Sequence, residues 1–267
     1  MAVELIILGG ALVHQINKSS KMDEQALKKN IKASTKMADA HHKVELEQKH
    51  LIERLKLNAI RKNAILSCHF KMFQEQYSII GQIEFKEGRG IEQIKQINSI
   101  DKQLTRYISQ PAVANGMLIK DSQYFVNFAL KGIGGLLVLD SKQNLEIAKR
   151  NMSQANAVVA QADAICIAYQ GIANHIDIIT ELLERLGCLY FKVIKKSKEI
   201  LLKNGLDGDK YSNQELETIN ISLALTKVIY NIIDTPAIDK DGVIEKESIA
   251  AVNSGQEILS KIEGGKF

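Results

Sequence analysis

Tryptophan is absent from this chain, and proline occurs only at Pro111 and Pro236. With so few breakers, and with many Ala, Leu, Lys, Glu and Gln, an all-α class is favoured. Cysteine is sparse too. Cys68, Cys166 and Cys188 are an odd number without Cys-x-x-Cys spacing, which argues against a disulfide framework and fits free, mostly buried thiols in a reducing compartment. No serine nucleophile elbow, Walker loop, Rossmann fingerprint or zinc spacing occurs, so no enzyme and no cofactor is expected.

What the chain does have is a proline-free run from Asp140 to Gly205. Written as heptads, Leu145, Met152, Val159, Cys166, Ala173, Ile194 and Leu201 share one position. A second row holds Ala148, Ala155, Ala162, Tyr169, Ile176, Leu183 and Tyr190. A third holds Val158, Ile165, Ile172, Ile179, Leu186, Val193 and Ile200. Three rows make a stripe wider than a two-stranded seam, so this helix is expected at the centre of a bundle. As one rod it would measure about 96 Å. A compact chain of this length has a radius of gyration of about 18 Å and hence, as a sphere, a diameter near 50 Å, about 2.6 times that radius. The helix therefore projects or breaks, with Gly171 and Gly187 as the candidate kinks. The expected architecture is an elongated bundle of about five or six helices with long, coiled-coil-like members. It divides into an apolar segment over residues 1–16 and a single helical domain over residues 17–267.

Hydrophobic residues make up 45% of the chain, enough for a sizeable core. The formal charge of +4 is unevenly placed: residues 1–62 hold twelve Lys/Arg against seven Asp/Glu, and the remainder is close to balanced. The basic character thus belongs to an N-terminal arm, residues 17–50, carrying Lys18, Lys21, Lys28, Lys29 and Lys32. Its apolar residues (Leu27, Ile31, Met37, Val44, Leu46) are thinly spread, and a thin seam is what a partner helix or a second copy would cover. A helix is expected from Met22 to about Ile80, with Asp23 and Glu24 in its first turn.

Two apolar stretches stand apart. Met1–Val13, with Leu5, Ile6, Ile7 and Leu8, lacks a basic n-region and does not read as a signal peptide. It would span about 20 Å as a helix, too short to cross a bilayer. Phe125–Leu139, with Phe128, Ile133, Leu136 and Leu137 among three glycines, is also too short, at about 22 Å. Its layout is like that of the apolar tongues of helical pore-forming toxins, as an analogy of arrangement and not a motif match. Both stretches are candidate contacts with a partner or a membrane, and one weak apolar anchor beside a basic stretch suits reversible attachment.

Elsewhere Phe85–Gly90 reads as a turn, and Ile91 to Ile108 marks a shorter amphipathic helix. Ser212 and Glu215 form a capping box for a helix to about Asp234, and a last helix is expected from Glu247. Asp239, Asp241 and Gly242 match the middle of an EF-hand loop, but its first and twelfth positions are Ala237 and Ser248, so an Asp-Gly turn is expected. His41, His42, Glu45 and His50 cluster on the second long helix; His41 and Glu45 are one turn apart and could share a metal, but the Glu-x-x-His pairs of di-iron bundles are absent, so no metal is expected. Lys192, Lys195, Lys196, Lys198 and Lys203 suit the C-terminal dipole of the long helix, and nucleic acid is not an expected partner.

These readings favour a non-enzymatic cytoplasmic scaffold that self-associates or binds a helical partner through residues 17–50. The alternative is a protein peripheral to the membrane that remodels or perforates a bilayer through residues 1–13 and 125–139.

Overall fold

The computed structural model describes residues 2–84, 145–239 and 242–265, with side chains from residue 24 in the first stretch and from residue 150 in the second. Every regular element among the described residues is helical. Helix α1 spans Ala2–Ala64 and passes through a π turn, Ile65–Phe70, into α2, Lys71–Ile80. The start expected near Met22 is therefore too late. Gly9 and Gly10 lie inside α1, and no proline lies near them; two interior glycines cost about 1 kcal/mol each against alanine, which a long helix tolerates.

The π turn has a side-chain consequence. Ile65 and Phe70 are both buried, yet five residues of α-helix would set them about 140° apart. Closing the ring at i→i+5 brings both onto the core side. From there burial continues through Phe73, Gln76 and Ile80.

Helix α3 spans Leu145–Asn204 and is broken at neither Gly171 nor Gly187. Gly187 faces the core, and a Cβ there would make an ordinary contact 3.4 Å from Ile65 Cδ1. The helix stops at Gly205, whose φ of 66° is left-handed, and the Tyr211 hydroxyl donates to the Gly205 carbonyl. A 3₁₀ turn, Gly208–Lys210, leads to the Ser212–Glu215 capping box and to α4, Asn213–Asp234. Helix α5 follows over Lys246–Glu263.

The chain divides into two compact units, residues 1–50 with 130–171 and residues 51–129 with 172–267. In the first, α1 and α3 run parallel. Asn151 Nδ2 donates to Asn30 Oδ1 at 3.1 Å, Lys36 Nζ to Asn156 Oδ1 at 2.8 Å, and Lys43 Nζ to Asp163 Oδ1 at 2.7 Å. Between these polar flanks lie Ala33, Ala40 and Val44 of α1 and Ala155, Ala162, Cys166 and Tyr169 of α3, all buried. The seam is mostly alanine, which allows close approach but buries little apolar area per residue.

In the second unit, α1 and α3 are again parallel, tied by Arg54–Asp177 at 2.8 Å and Arg61–Glu184 at 3.1 Å. Helix α4 lies antiparallel to α3, since Tyr190 meets Thr226 and Lys203 meets Glu215. Helix α5 is parallel to α3, with His175 against Ser248 and Arg185 against Glu263. All three apolar rows of α3 are buried here: Ile194 and Leu201 of the first, Ile176, Leu183 and Tyr190 of the second, and Ile172, Ile179 and Leu186 of the third. In the first unit the third row is only half-buried, at Val158 and Ile165.

The end of α2 is pinned to the loop after α3, where Glu84 N–H donates to Leu206 O at 2.9 Å and Gly208 N–H to Glu84 O at 2.7 Å.

Candidate interaction surfaces

The apolar residues of the basic arm fall on two faces of α1. Ala33, Ala40 and Val44 are covered by α3, so part of the thin seam is filled within the chain itself. Leu27, Ile31 and Leu46 are 60%, 58% and 41% exposed. At 3.6 residues per turn these three centre roughly 170° from the buried row. Around them Lys32 is exposed, Lys28 pairs with Glu24 at 2.6 Å, and Lys29 is half-buried. Leu5, Ile6, Ile7 and Leu8 lie in the first turns of α1, as Lys18 and Lys21 do in later ones, but their side chains lie outside the described residues. So do Phe125, Phe128, Ile133, Leu136 and Leu137, together with the turn at 85–90 and the amphipathic segment from Ile91 to Ile108.

At the π turn an aromatic cluster forms that sequence spacing did not reveal. Tyr190 is fully buried, its ring centroid 5.8 Å from Phe70, 6.2 Å from Phe73 and 6.1 Å from His69. Its hydroxyl meets Thr226 Oγ1 at 2.7 Å, and burial pushes it far above the usual phenol range. Phe191 rests on the His69 ring at 5.5 Å and stays 41% exposed. The His69 Nδ1 atom is buried with no hydrogen-bond partner, and burial lowers the histidine pKa. The one sequence signal for this cluster was the five-residue spacing of Ile65 and Phe70, which sets them about 140° apart on a regular α-helix.

His175 and Asp177, two residues apart, go separate ways. His175 Nε2 lies 2.8 Å from Ser248 Oγ with both residues buried, whereas Asp177 pairs with Arg54. Ser248, the twelfth position of the EF-hand comparison, is thus engaged with a histidine. Asp239 uses a carboxylate oxygen to accept from Val243 N–H at 2.9 Å, Gly242 has a φ of 79°, and Ile238 bridges Ile244. Asp239 and Val243 thus bracket a turn, while Lys240 and Asp241 of the Asp-Gly turn expected there lie outside the described residues. His41 stands 3.7 Å from Glu45 on an exposed face. Of the three thiols only Cys166 is buried; Cys68 and Cys188 are exposed, contrary to the expectation of mostly buried cysteines. Both occupy outward positions of their helices, which the rows around Leu145–Leu201 could not place for Cys68.

A shallow groove of about 370 Å³ lies between α3 and α5, floored by Ile178, Leu182 and Leu259 and rimmed by Glu181 and the Arg185–Glu263 pair. Arg185 donates twice to Glu263, so its charge is already matched. Among the described residues one helix, α4, is long and apolar enough to cross a membrane by length and composition, and half of that window is buried within the protein. Comparison of the chain with protein families, curated proteins and solved structures finds no match in any of the three.

Proposed function

We propose that this protein is a non-enzymatic cytoplasmic scaffold that self-associates through the outer face of α1, within residues 17–50. The observation that carries the reading is the exposure of Leu27, Ile31 and Leu46 opposite a face already occupied by α3. A second helix laid along that face would remove apolar surface worth about 25 cal/mol per Å² from water. In this reading the parallel α1–α3 pair is a coiled coil within an elongated bundle of five or six helices, and another copy extends it. The heptad spacing of Asn156, Asp163 and Gln170, each tied to α1, supports that finer picture. Light scattering over a concentration series tests it. The wild type should gain mass with concentration, and a Leu27→Asp/Ile31→Asp/Leu46→Asp variant should remain a monomer with unchanged helicity. A wild type that stays monomeric at every concentration would end the proposal.

A second reading is action on a bilayer through residues 1–13 and 125–139, supported by the apolar residues Leu5, Ile6, Ile7 and Leu8 in the first turns of α1. Deleting residues 1–13 should then abolish vesicle leakage; a full-length protein that never causes leakage removes this reading.

A further inference from the structure

The last turns of α3 carry a feature that the self-association reading does not use. Phe191, 41% exposed, Lys195 and Leu202, 73% exposed, lie along one outward row of the helix. Lys192 and Lys196 are exposed on the neighbouring row. Lys198 and Lys203 on the same stretch are held by Glu75 and Glu215, but among the described residues no acidic side chain pairs with Lys192, Lys195 or Lys196. Glu199 stands among them and offsets one charge. Leu206, just beyond the helix, is 47% exposed.

We infer that this face docks on an anionic lipid bilayer. Three properties favour a headgroup surface over other acidic partners. The cations are lysines, compact charges on long stems that reach phosphate while the stem lies against acyl chains. The apolar residues are interspersed with them on one side of a helix, as in helices that lie in the interface plane. Phe191 is held out by its packing on His69, so it is presented without first having to unpack from the core. A nucleic acid site would instead want several stacking aromatics, and Phe191 is the one exposed aromatic on these rows. Each lysine near an anionic surface contributes independently of sequence, so the attachment is weak, reversible and sensitive to salt.

The absence of tryptophan supplies a clean probe. In the full-length protein, Leu202→Trp places a single indole on this face. Its emission should shift to shorter wavelength on mixing with phosphatidylcholine–phosphatidylserine vesicles at low salt, and return on adding salt. Phosphatidylcholine alone should leave it unmoved. In the Lys192→Glu/Lys195→Glu/Lys196→Glu background the vesicle concentration needed should rise by at least about tenfold. An unshifted indole on vesicles that nevertheless carry the protein down would overturn the inference, because another segment is then the anchor. So would equal binding by the triple variant, or retention on polyglutamate or RNA at concentrations where vesicles are ignored. All these substitutions are at exposed positions and none alters Leu27, Ile31 or Leu46, so self-association measured by light scattering should be unchanged. The two proposals therefore fail separately.

Discussion

Asn58 Nδ2 donates to Thr180 Oγ1 at 2.9 Å across the α1–α3 seam, and Thr180 in turn donates to the Ile176 carbonyl at 2.7 Å. Asn58 is 3% exposed, so the amide has no route to water and the pair sets one lengthwise alignment of the two helices. Asn58→Ala should lower stability by about 1–3 kcal/mol, the usual cost of stranding a buried partner. Urea unfolding of the two proteins checks this, and an unchanged midpoint would show that the seam aligns without the pair.

Ile179 is 1% exposed in the second unit, inside the third apolar row of α3. An aspartate there would be a carboxylate without a partner, costing several kcal/mol from a total of about 5–15. Ile179→Asp should yield no cooperative thermal transition. A variant with native helicity and a sharp melt would show that the buried face is elsewhere.

Gly255 on α5 is where three helices converge: a Cβ would lie 2.8 Å from Ile232 Cδ1 and 2.9 Å from Leu182 Cδ2. Both are ends of flexible side chains. Gly255→Ala gains up to about 1 kcal/mol in helix propensity, which offsets part of the crowding, so a net change within about 1 kcal/mol is expected. Gly255→Leu has no such room and should cost more than about 3 kcal/mol. Paired denaturation curves would show whether size, and not mere substitution, governs the position.

Burial lowers the pKa of both His69 and His175 from 6.5. Each favours the neutral imidazole in the folded state, so their contribution is complete above pH 6.5 and declines as pH falls through the lowered folded values. Melting temperature should therefore drop between pH 7.5 and about pH 5, before most carboxylates titrate. His69→Phe should flatten that slope and hold or raise stability at neutral pH, since it removes the buried, unmatched Nδ1. An unaltered slope would assign the effect to other groups.

Glu215 is held down to about 2, first by the Ser212 backbone N–H and then by Lys203 and the Ser212 hydroxyl. Its share of stability is present above the ordinary 4.5 and is lost as pH falls toward 2, a window separate from that of the histidines. Ser212→Ala should cost about 1 kcal/mol at neutral pH through the lost cap. Amide exchange in the first turn of α4 would reveal it, and wild-type protection there would refute it.

Much of the helix inventory was legible from local chemistry. The row Ala155, Ala162, Tyr169, Ile176, Leu183 and Tyr190 is buried throughout its described length, because heptad spacing keeps one face inward on an uninterrupted helix. Ser212–Glu215 is a contact within one turn and needs nothing distant to form. Asp239 and Gly242 likewise close their own turn.

What needed the tertiary structure was everything set by a second helix. Nothing within α1 says that Val44 is covered while Leu46 is bare; that depends on which face α3 takes. The parallel course of α1 and α3 depends on pairings some 120 residues apart, such as Lys43 with Asp163, which no local pattern encodes. The π turn at Ile65–Phe70 brings both side chains into one core, and only the helices packed there say which core that is. Local spacing determines that a residue is helical and which neighbours share its side; only the packing partner determines which side meets protein and which meets water.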